Sequence, residues 1–269
     1  MAETVKSEIP TADPILLRQD ADGVATLTMN RPAARNALSV GLRAEMKRKI
    51  DAIAEDDAIR VVVIAANGPA FCAGHDLREM RGNPGREQYQ ALFTQCSELM
   101  LAIIGLAKPV IARVQAMATA AGCQLVASCD LAIAAKEAKF ATPGVNIGLF
   151  CSTPMVALAR NIGRKQAMEM LLTGEAIDAG RAEQYGLINR SVESLALDDE
   201  IAGLTETIKG KSPITIAIGK EAFYRQLDMD LPEAYAYVSE VMTRNMLTRD
   251  AGEGIDAFLE KRPPEWEGR

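Results

Sequence analysis

The amino-acid sequence predicts an α/β fold with one large core and a helical C-terminal region. Apolar residues make up 48% of the 269 residues, which is enough to bury a substantial core. Short apolar runs alternate with amphipathic segments through the first two-thirds of the chain, a pattern typical of strand–helix units. From residue 197 onward the periodicity is helical throughout. We therefore divide the chain into an N-terminal arm (1–14), a core (15–196) and a helical region (197–269).

The N-terminal elements follow from local patterns. Residues 15–29 predict two short strands joined by a turn at 20–23. Ser39 is a favourable N-cap residue, and the apolar stripe behind it predicts a helix over 40–54. Residues 61–66 (VVVIAA) are all apolar, which is typical of a strand buried on both faces of a parallel sheet.

Two segments of small residues each lead from a strand into a helix. The strand 110–116 is followed by ATAAG at 118–122 and then by a short apolar helix, 123–128. A small-residue turn at a helix start leaves backbone N–H groups free, with the positive end of the helix dipole behind them. That is the geometry of an anion or oxyanion site, and close packing of helix on sheet is the alternative. Residues 68–77 form a similar loop, with a helix predicted to begin near Asp76 at the carboxyl end of the preceding strand.

The remaining elements are predicted from the same periodicities. Their order is a flexible loop at 81–87, a helix at 89–106, a strand at 131–135, an irregular loop at 142–154, helices at 155–159 and 165–172, a short helix between Asp178 and Gly186, a strand at 187–192, and helices at 198–209, 214–226, 232–247 and 252–261.

Composition excludes several classes of function. The net charge of −6 and pI of about 5.1 argue against a nucleic-acid-binding surface. The five cysteines form no C-x-x-C pair, so they predict reduced thiols and a cytoplasmic location. A single histidine, His75, disfavours a zinc site, and we expect no metal. The polar, acidic N-terminus resembles no signal peptide, and no apolar run approaches the length of a membrane span.

Five motifs identify a family resemblance. They are NRP with NAL at 30–38, FCAGHDL at 71–77, the segment 110–147, AMEMLLTG at 167–174, and GIDAFLEKR at 254–262. In this order they resemble the crotonase superfamily, the enoyl-CoA hydratase/isomerase family, over about residues 15–264. Two segments, 118–130 and 140–154, are especially similar to one branch of it. The resemblance implies a crotonase-like spiral of ββα units and a C-terminal helical trimerisation region, assembled as a homotrimer or a dimer of trimers.

The resemblance also implies a ligand and its contacts. The ligand is an acyl-CoA thioester, so coenzyme A enters as part of the substrate and no cofactor is bound permanently. The backbone amides of His75 and Ala121 would form an oxyanion hole for the thioester oxygen as it becomes an enolate. CoA would be bound by Arg31, Ala33, Ala73, Asp76, Leu77, Phe258 and Lys261, the last two reaching a nucleotide site that a neighbouring subunit can supply. A solvated helix end is the alternative for Lys261.

The sequence departs from the family pattern at the residues that move protons. Hydratases of this family use two glutamates, and these positions correspond to Gln124 and Gly144. A glutamine cannot take a proton from water, and a glycine offers no acid or base. We expect Gly144 to adopt a positive φ, which would disfavour a side chain there. Cys151 and Ser152 occupy the part of the loop where other members place an acidic residue, and Cys151 is either a buried small residue or a nucleophile of lowered pKa.

Three functions remain open from the sequence. The first is an enzyme acting on acyl-CoA in fatty-acid or related metabolism, with efficient hydration in doubt. The second is a non-catalytic acyl-CoA-binding protein. The third is a hydrolase that uses Ser152 or Cys151 with His75. The sequence lacks the G-x-S-x-G turn that is usual for serine hydrolases.

Overall fold

The computed structural model describes residues 13–269, so the predicted arm at 1–14 falls almost wholly outside the described residues. The strands are β1 (Leu16–Ala21), β2 (Val24–Met29), β3 (Val61–Ala66), β4 (Ala70–Cys72), β5 (Val110–Val114), β6 (Met117–Thr119), β7 (Leu131–Ala135), β8 (Lys139–Ala141), β9 (Ile177–Asp178) and β10 (Arg190–Val192). The helices are α1 (Val40–Ala54), α2 (Leu77–Gly82), α3 (Arg86–Gly105), α4 (Ala121–Ser128), α5 (Ser152–Asn161), α6 (Arg164–Thr173), α7 (Ala179–Tyr185), α8 (Leu197–Lys209), α9 (Pro213–Gln226), α10 (Leu231–Met246) and α11 (Arg249–Glu260).

The strands form two sheets, and each repeat of the chain contributes one strand to each of them. The larger sheet has the order β1-β2-β3-β5-β7-β10, and the smaller has the order β4-β6-β8-β9. The consecutive pairs β3/β4, β5/β6 and β7/β8 each give one strand to each sheet, and helical segments follow every pair. Pairing between neighbouring repeats is parallel, while the β1–β2 hairpin and the β8–β9 pair are antiparallel. The chain therefore winds as a spiral of ββα units.

The larger sheet is covered on both faces. All six residues of β3 are buried, as the apolar run at 61–66 predicts. One face packs against a large cluster that includes residues of α1, α3 and α4. The other face forms a smaller cluster with Leu197 and Ile201 of α8, through Val61, Val63, Ile111 and Ile133. The first helix of the C-terminal region thus covers this chain's own sheet.

Local signals placed most boundaries correctly. Ser39 caps α1, its hydroxyl accepting a hydrogen bond from the Leu42 amide at 3.2 Å. Asp178 caps α7 in the same way. The predicted loop at 81–87 is shorter, because α2 extends to Gly82 and α3 already begins at Arg86. The predicted irregular loop at 142–154 contains a 3₁₀ turn (Pro143–Ile147) and the start of α5 at Ser152. The strands β4, β6, β8 and β9 were not predicted.

A buried polar cluster fixes α9 to the core. The Asp130 carboxylate accepts hydrogen bonds from the Val110 amide at 2.7 Å, from Lys220 Nζ at 2.6 Å and from the Tyr224 hydroxyl at 2.9 Å. Lys220 and Asp130 are both largely buried. Asp130 thus links the turn between α4 and β7 to β5 and α9. Within residues 13–269, no helix is both long and apolar enough to cross a membrane.

Candidate functional site

The two predicted oxyanion loops meet because their strands are neighbours. His75 follows Cys72, the last residue of β4, and Ala121 follows Thr119, the last residue of β6. The two strands pair in parallel, so their carboxyl ends lie at the same edge of the smaller sheet. Ligands bind at such an edge in many α/β folds.

Two glycines allow the loops to touch. A Cβ on Gly74, whose φ is +85°, would lie 2.9 Å from the Ala120 Cβ and 3.3 Å from the Ala121 nitrogen. A Cβ on Gly122 would lie 2.8 Å from both the carbonyl carbon and the Cβ of Cys72, and closer still to the Cys72 oxygen. Real Cβ atoms do not approach other atoms this closely, so both glycines are required by contact.

Both amides remain free. Within residues 13–269, neither the His75 nor the Ala121 amide donates to a backbone acceptor outside its own helix or strand. Ala120, just before Ala121, has φ +50° and ψ −119°, a conformation that costs a non-glycine residue about 1–3 kcal/mol. Strain of this kind persists where the surroundings impose it, and here the β6–α4 turn presents the first amide of α4. The structure thus brings His75 and Ala121 together as two available donors.

A cleft of 670 Å³ lies beside the His75 loop. It is lined by five of the seven predicted CoA-binding residues, Arg31, Ala33, Ala73, Asp76 and Leu77, together with Ala34, Arg35, Ala37, Arg78 and Glu79. The cleft therefore lies between the segment that links β2 to α1 and the start of α2, although these segments are about forty residues apart in sequence.

The cations of this cleft differ in availability. Arg31 pairs with the Asp76 carboxylate at 3.2 Å and donates to the Ala37 carbonyl at 2.6 Å. Burial would raise the pKa of Asp76, but hydrogen bonds from Arg31 and from backbone amides of α2 hold it below its usual range. Arg35 and Arg78 form no ion pair with any residue of the described part of the chain. Sequence reasoning missed these two arginines, which are the cations left to bind an anionic ligand.

Phe258 and Lys261 lie elsewhere. Phe258 is 82% exposed on α11, and Lys261 ends that helix with φ +57°. Neither lines the 670 Å³ cleft. Their role at a nucleotide site shared between subunits stays a prediction.

Gln124 and Gly144, the predicted counterparts of the family glutamates, lie on α4 and in the 3₁₀ turn Pro143–Ile147. Gln124 lies on α4 three residues after Ala121, so both face one side of the helix. It is 5% exposed, and its Oε1 has no hydrogen-bond partner among residues 13–269. The expected positive φ at Gly144 is wrong, since Gly144 is not among the positive-φ glycines. A side chain is excluded instead by contact, because a Cβ would lie 2.5 Å from the Leu149 oxygen and 2.9 Å from Cys151 Sγ.

The nucleophile alternative finds no support in the geometry. Cys151 is buried, and burial raises the pKa of its thiol, opposed only by a hydrogen bond with the Gly144 backbone. The Ser152 hydroxyl donates to the Phe150 carbonyl at 3.3 Å. Neither Cys151 nor Ser152 is bonded to His75 in the described residues, so no nucleophile–base pair forms.

The His75 side chain, whose orientation the sequence left open, points into the protein. Its Nδ1 lies 3.3 Å from Arg43 Nη1, and its ring meets Phe93 edge to face at 5.6 Å between centroids. Burial and the charge of Arg43 lower the pKa of His75 to about 4, so the imidazole is neutral at physiological pH. Within residues 13–269 no cluster of three His, Cys, Asp or Glu side chains is arranged to hold a metal ion.

Comparisons with known proteins agree with this geometry. The family described as Enoyl-CoA hydratase/isomerase matches residues 19–269. The rat protein named "Enoyl-CoA hydratase domain-containing protein 3, mitochondrial" is 44% identical over 258 residues, covering 96% of this chain and 86% of the relative. Its human counterpart is 45% identical over 245 residues, covering 91% and 82%. These relatives confirm the branch that segments 118–130 and 140–154 resemble.

Solved structures confirm the fold class. An enoyl-CoA hydratase from Mycobacterium smegmatis superposes with a TM-score of 0.93 at 55% identity, covering 94% of this chain and 99% of that one. Human enoyl Coenzyme A hydratase domain-containing protein 3 superposes with a TM-score of 0.92 at 43% identity, covering 94% and 100%. The predicted spiral of ββα units with C-terminal helices is therefore correct. Together with the two facing loops, these matches show that the chain belongs to the enoyl-CoA hydratase/isomerase family.

Proposed function

We propose that the protein binds acyl-CoA thioesters and stabilises the enolate form of the thioester with the His75 and Ala121 amides. The observation that carries this proposal is the pair of free amides on two loops that Gly74 and Gly122 allow to touch. Each donor of an oxyanion hole is worth about 3 kcal/mol once charge develops on the oxygen. Arg35 and Arg78 in the adjacent cleft supply positive charge for the phosphates of CoA. Coenzyme A enters with the substrate, and the proposal needs no further cofactor.

The proposed chemistry is polarisation of the thioester, in fatty-acid or related acyl-CoA metabolism, with little hydration. Gln124 can hydrogen-bond a water molecule but cannot deprotonate it. The Leu149 carbonyl and Cys151 close the space in which a side chain at Gly144 would stand. The site thus keeps electrostatic stabilisation and lacks the family's acid–base pair.

A second candidate is an acyl-CoA-binding protein without turnover. The packing at Gly144 favours it, because the backbone around this position has closed over the place of a catalytic side chain. Both candidates predict binding, and only the first predicts conversion of the acyl group.

Calorimetry with acetyl-CoA, crotonyl-CoA and a long-chain acyl-CoA tests the binding. We expect at least one thioester to bind more tightly than CoA alone. A folded sample that binds none of them refutes the proposal. Incubation with the same thioesters, followed by mass spectrometry of the acyl group and detection of free CoA, separates isomerase or hydratase activity, hydrolysis and simple binding.

We also propose a homotrimer or a dimer of trimers. The C-terminal helices expose large apolar side chains, namely Phe223, Leu231, Tyr235, Met242, Met246 and Leu247. Ala234 and Val241 of α10 are instead buried within the chain. Light scattering at micromolar concentration should give a mass three or six times 28.9 kDa. A monodisperse monomer would refute the assembly and the shared site at Phe258 and Lys261.

We propose a cytoplasmic location on the basis of the thiols. All five cysteines are unpaired and buried, which fits a reducing compartment. The names of the rat and human relatives include "mitochondrial". Fractionation of cells that express the chain, with detection by a C-terminal tag, distinguishes the two locations.

A further inference from the structure

Arg43 is a buried cation without a counter-ion. Its side chain, on α1, is the largest fully buried side chain among residues 13–269. Within residues 13–269 no carboxylate oxygen lies within 4.0 Å of its guanidinium. Charged groups in protein interiors are normally paired, because an isolated buried charge is costly. An unpaired arginine at this depth therefore needs another reason to be there.

Two contacts of Arg43 lead to the loop that carries the His75 amide. Its Nη1 donates to the Leu38 carbonyl and lies 3.3 Å from His75 Nδ1. Its Nε donates to Gln95 Oε1 at 3.0 Å, which ties the same guanidinium to α3. Nη2 has no partner among the described residues.

Leu38 is itself bound to this loop. The Leu38 amide donates to the Gly74 carbonyl at 2.8 Å, and Leu38 pairs with His75 in an isolated parallel bridge. Arg43 thus contacts this loop in two ways: through Leu38, which pairs with His75, and through the imidazole of His75 itself.

We propose that Arg43 is a positioning residue for the oxyanion hole, fixing the backbone from which the His75 amide projects. The inference rests on the proposed function, since it assigns a purpose to the amide that the proposal uses. Arg43 touches no reacting atom and acts only through Leu38 and His75.

The contact also determines the state of the imidazole. A guanidinium has donors only, so the Nδ1 that faces it must accept, and the ring proton must sit on Nε2. The charged and titratable groups near this contact are Arg43 on α1, Glu79 on α2 and the buried thiol of Cys96 on α3. A protonated His75 would face the guanidinium with like charge. The Arg43–His75 contact therefore holds only while His75 is neutral, whereas the contact through Leu38 does not depend on this proton.

The experiment uses the fact that His75 is the sole histidine of the chain. Its ring signals can be followed by NMR against pH in the full-length protein without assignment of any other residue. The variants are Arg43→Met, Arg43→Lys and a matched control, Arg48→Met. Arg48 lies on the same helix, has a side chain that is 65% exposed, and pairs with Glu45.

We expect wild-type His75 to stay neutral down to about pH 5 and to show the Nε2–H tautomer. Arg43→Met should raise the pKa of His75, whereas Arg48→Met should not change it. A second readout is the carbonyl ¹³C shift of bound acyl-CoA labelled at C1, which reports polarisation by the oxyanion hole. Arg43→Met should reduce this shift and weaken the preference for acyl-CoA over CoA by about tenfold. Because Arg43→Lys keeps a charged donor, its His75 pKa and its carbonyl shift should both lie between those of wild type and Arg43→Met.

Several results would overturn the inference. A wild-type His75 that titrates near pH 6.5 shows that the contact does not exist in solution, even where Arg43→Met fails to fold. A folded Arg43→Met variant with an unchanged carbonyl shift shows that Arg43 does not position the amide, whatever the titration shows. The titration uses the free protein, so it does not depend on the ligand. A wild type that binds no acyl-CoA refutes both the proposed function and the positioning role. The NMR titration of the free protein still measures the Arg43–His75 contact in that case.

Discussion

The replacement of Gly122 by alanine tests the contact on which the oxyanion hole depends. Gly122 is the second residue of α4, where alanine would normally favour the helix by about 1 kcal/mol. The added Cβ, however, would lie 2.8 Å from the Cys72 carbonyl carbon and closer to its oxygen. These atoms belong to the backbone of β4 and cannot rotate away. Overpacking of this kind costs about 1–3 kcal/mol, and we expect the upper end, which leaves a net destabilisation of about 2 kcal/mol.

The same clash should also weaken the preference of the protein for acyl-CoA over CoA. Relieving it requires α4 and β4 to separate by roughly 1 Å. The Ala121 amide begins α4, and β4 leads into the loop that carries the His75 amide. A misplacement of that size costs about 100-fold in a reaction that depends on alignment. Gly122→Ala should therefore lose its preference for acyl-CoA over CoA while still binding CoA. Urea denaturation and calorimetry measure the two effects.

Gly203→Ala is the matched control for this prediction. Gly203 is an exposed residue of α8, and a Cβ there meets no atom within 4 Å. This variant should be more stable than wild type by about 0.4–1 kcal/mol and should bind acyl-CoA normally. A Gly122→Ala protein that matches Gly203→Ala in stability and keeps its acyl-CoA affinity would refute the contact between the two loops.

Three further predictions concern other residues of the structure. Gln124→Glu should raise the rate of crotonyl-CoA hydration by up to about 100-fold over a weak wild type, as measured from the absorbance of the enoyl thioester. Adding Gly144→Glu should destabilise the protein, because the new side chain would clash with the Leu149 carbonyl. The free energy of unfolding should fall as pH drops from about 6.5 to about 4, since the unfolded chain binds a proton at His75 near pH 6.5 and the native protein only near pH 4. This loss amounts to about 3 kcal/mol at most, and urea titrations of His75→Gln should lack it. Lys220→Met should lower stability by about 3 kcal/mol, because it leaves the Asp130 carboxylate without its cation, and an unchanged melting temperature would contradict the role of this pair.

The sequence alone determined the elements whose signals are local. The strand at 61–66 is recognisable because every residue is apolar, and the structure buries all of it as β3. Ser39 and Asp178 mark helix starts because each side-chain oxygen accepts a hydrogen bond from the amide three residues ahead. The order of five motifs identified the family, and small-residue turns before α4 indicated free amides. Each of these signals spans a short stretch of chain.

Tertiary structure decided how distant segments meet. The strands β4, β6 and β8 have three residues each, too few for a period of two to be visible, yet they set the edge at which the two amides converge. A charged residue in an amphipathic helix is expected at the surface, so no local pattern could bury Arg43 against His75. The reason for glycine at 144 was likewise not its own φ but the Leu149 carbonyl. A contact depends on both partners and on the fold that brings them together, and neither partner's local sequence encodes the other's position.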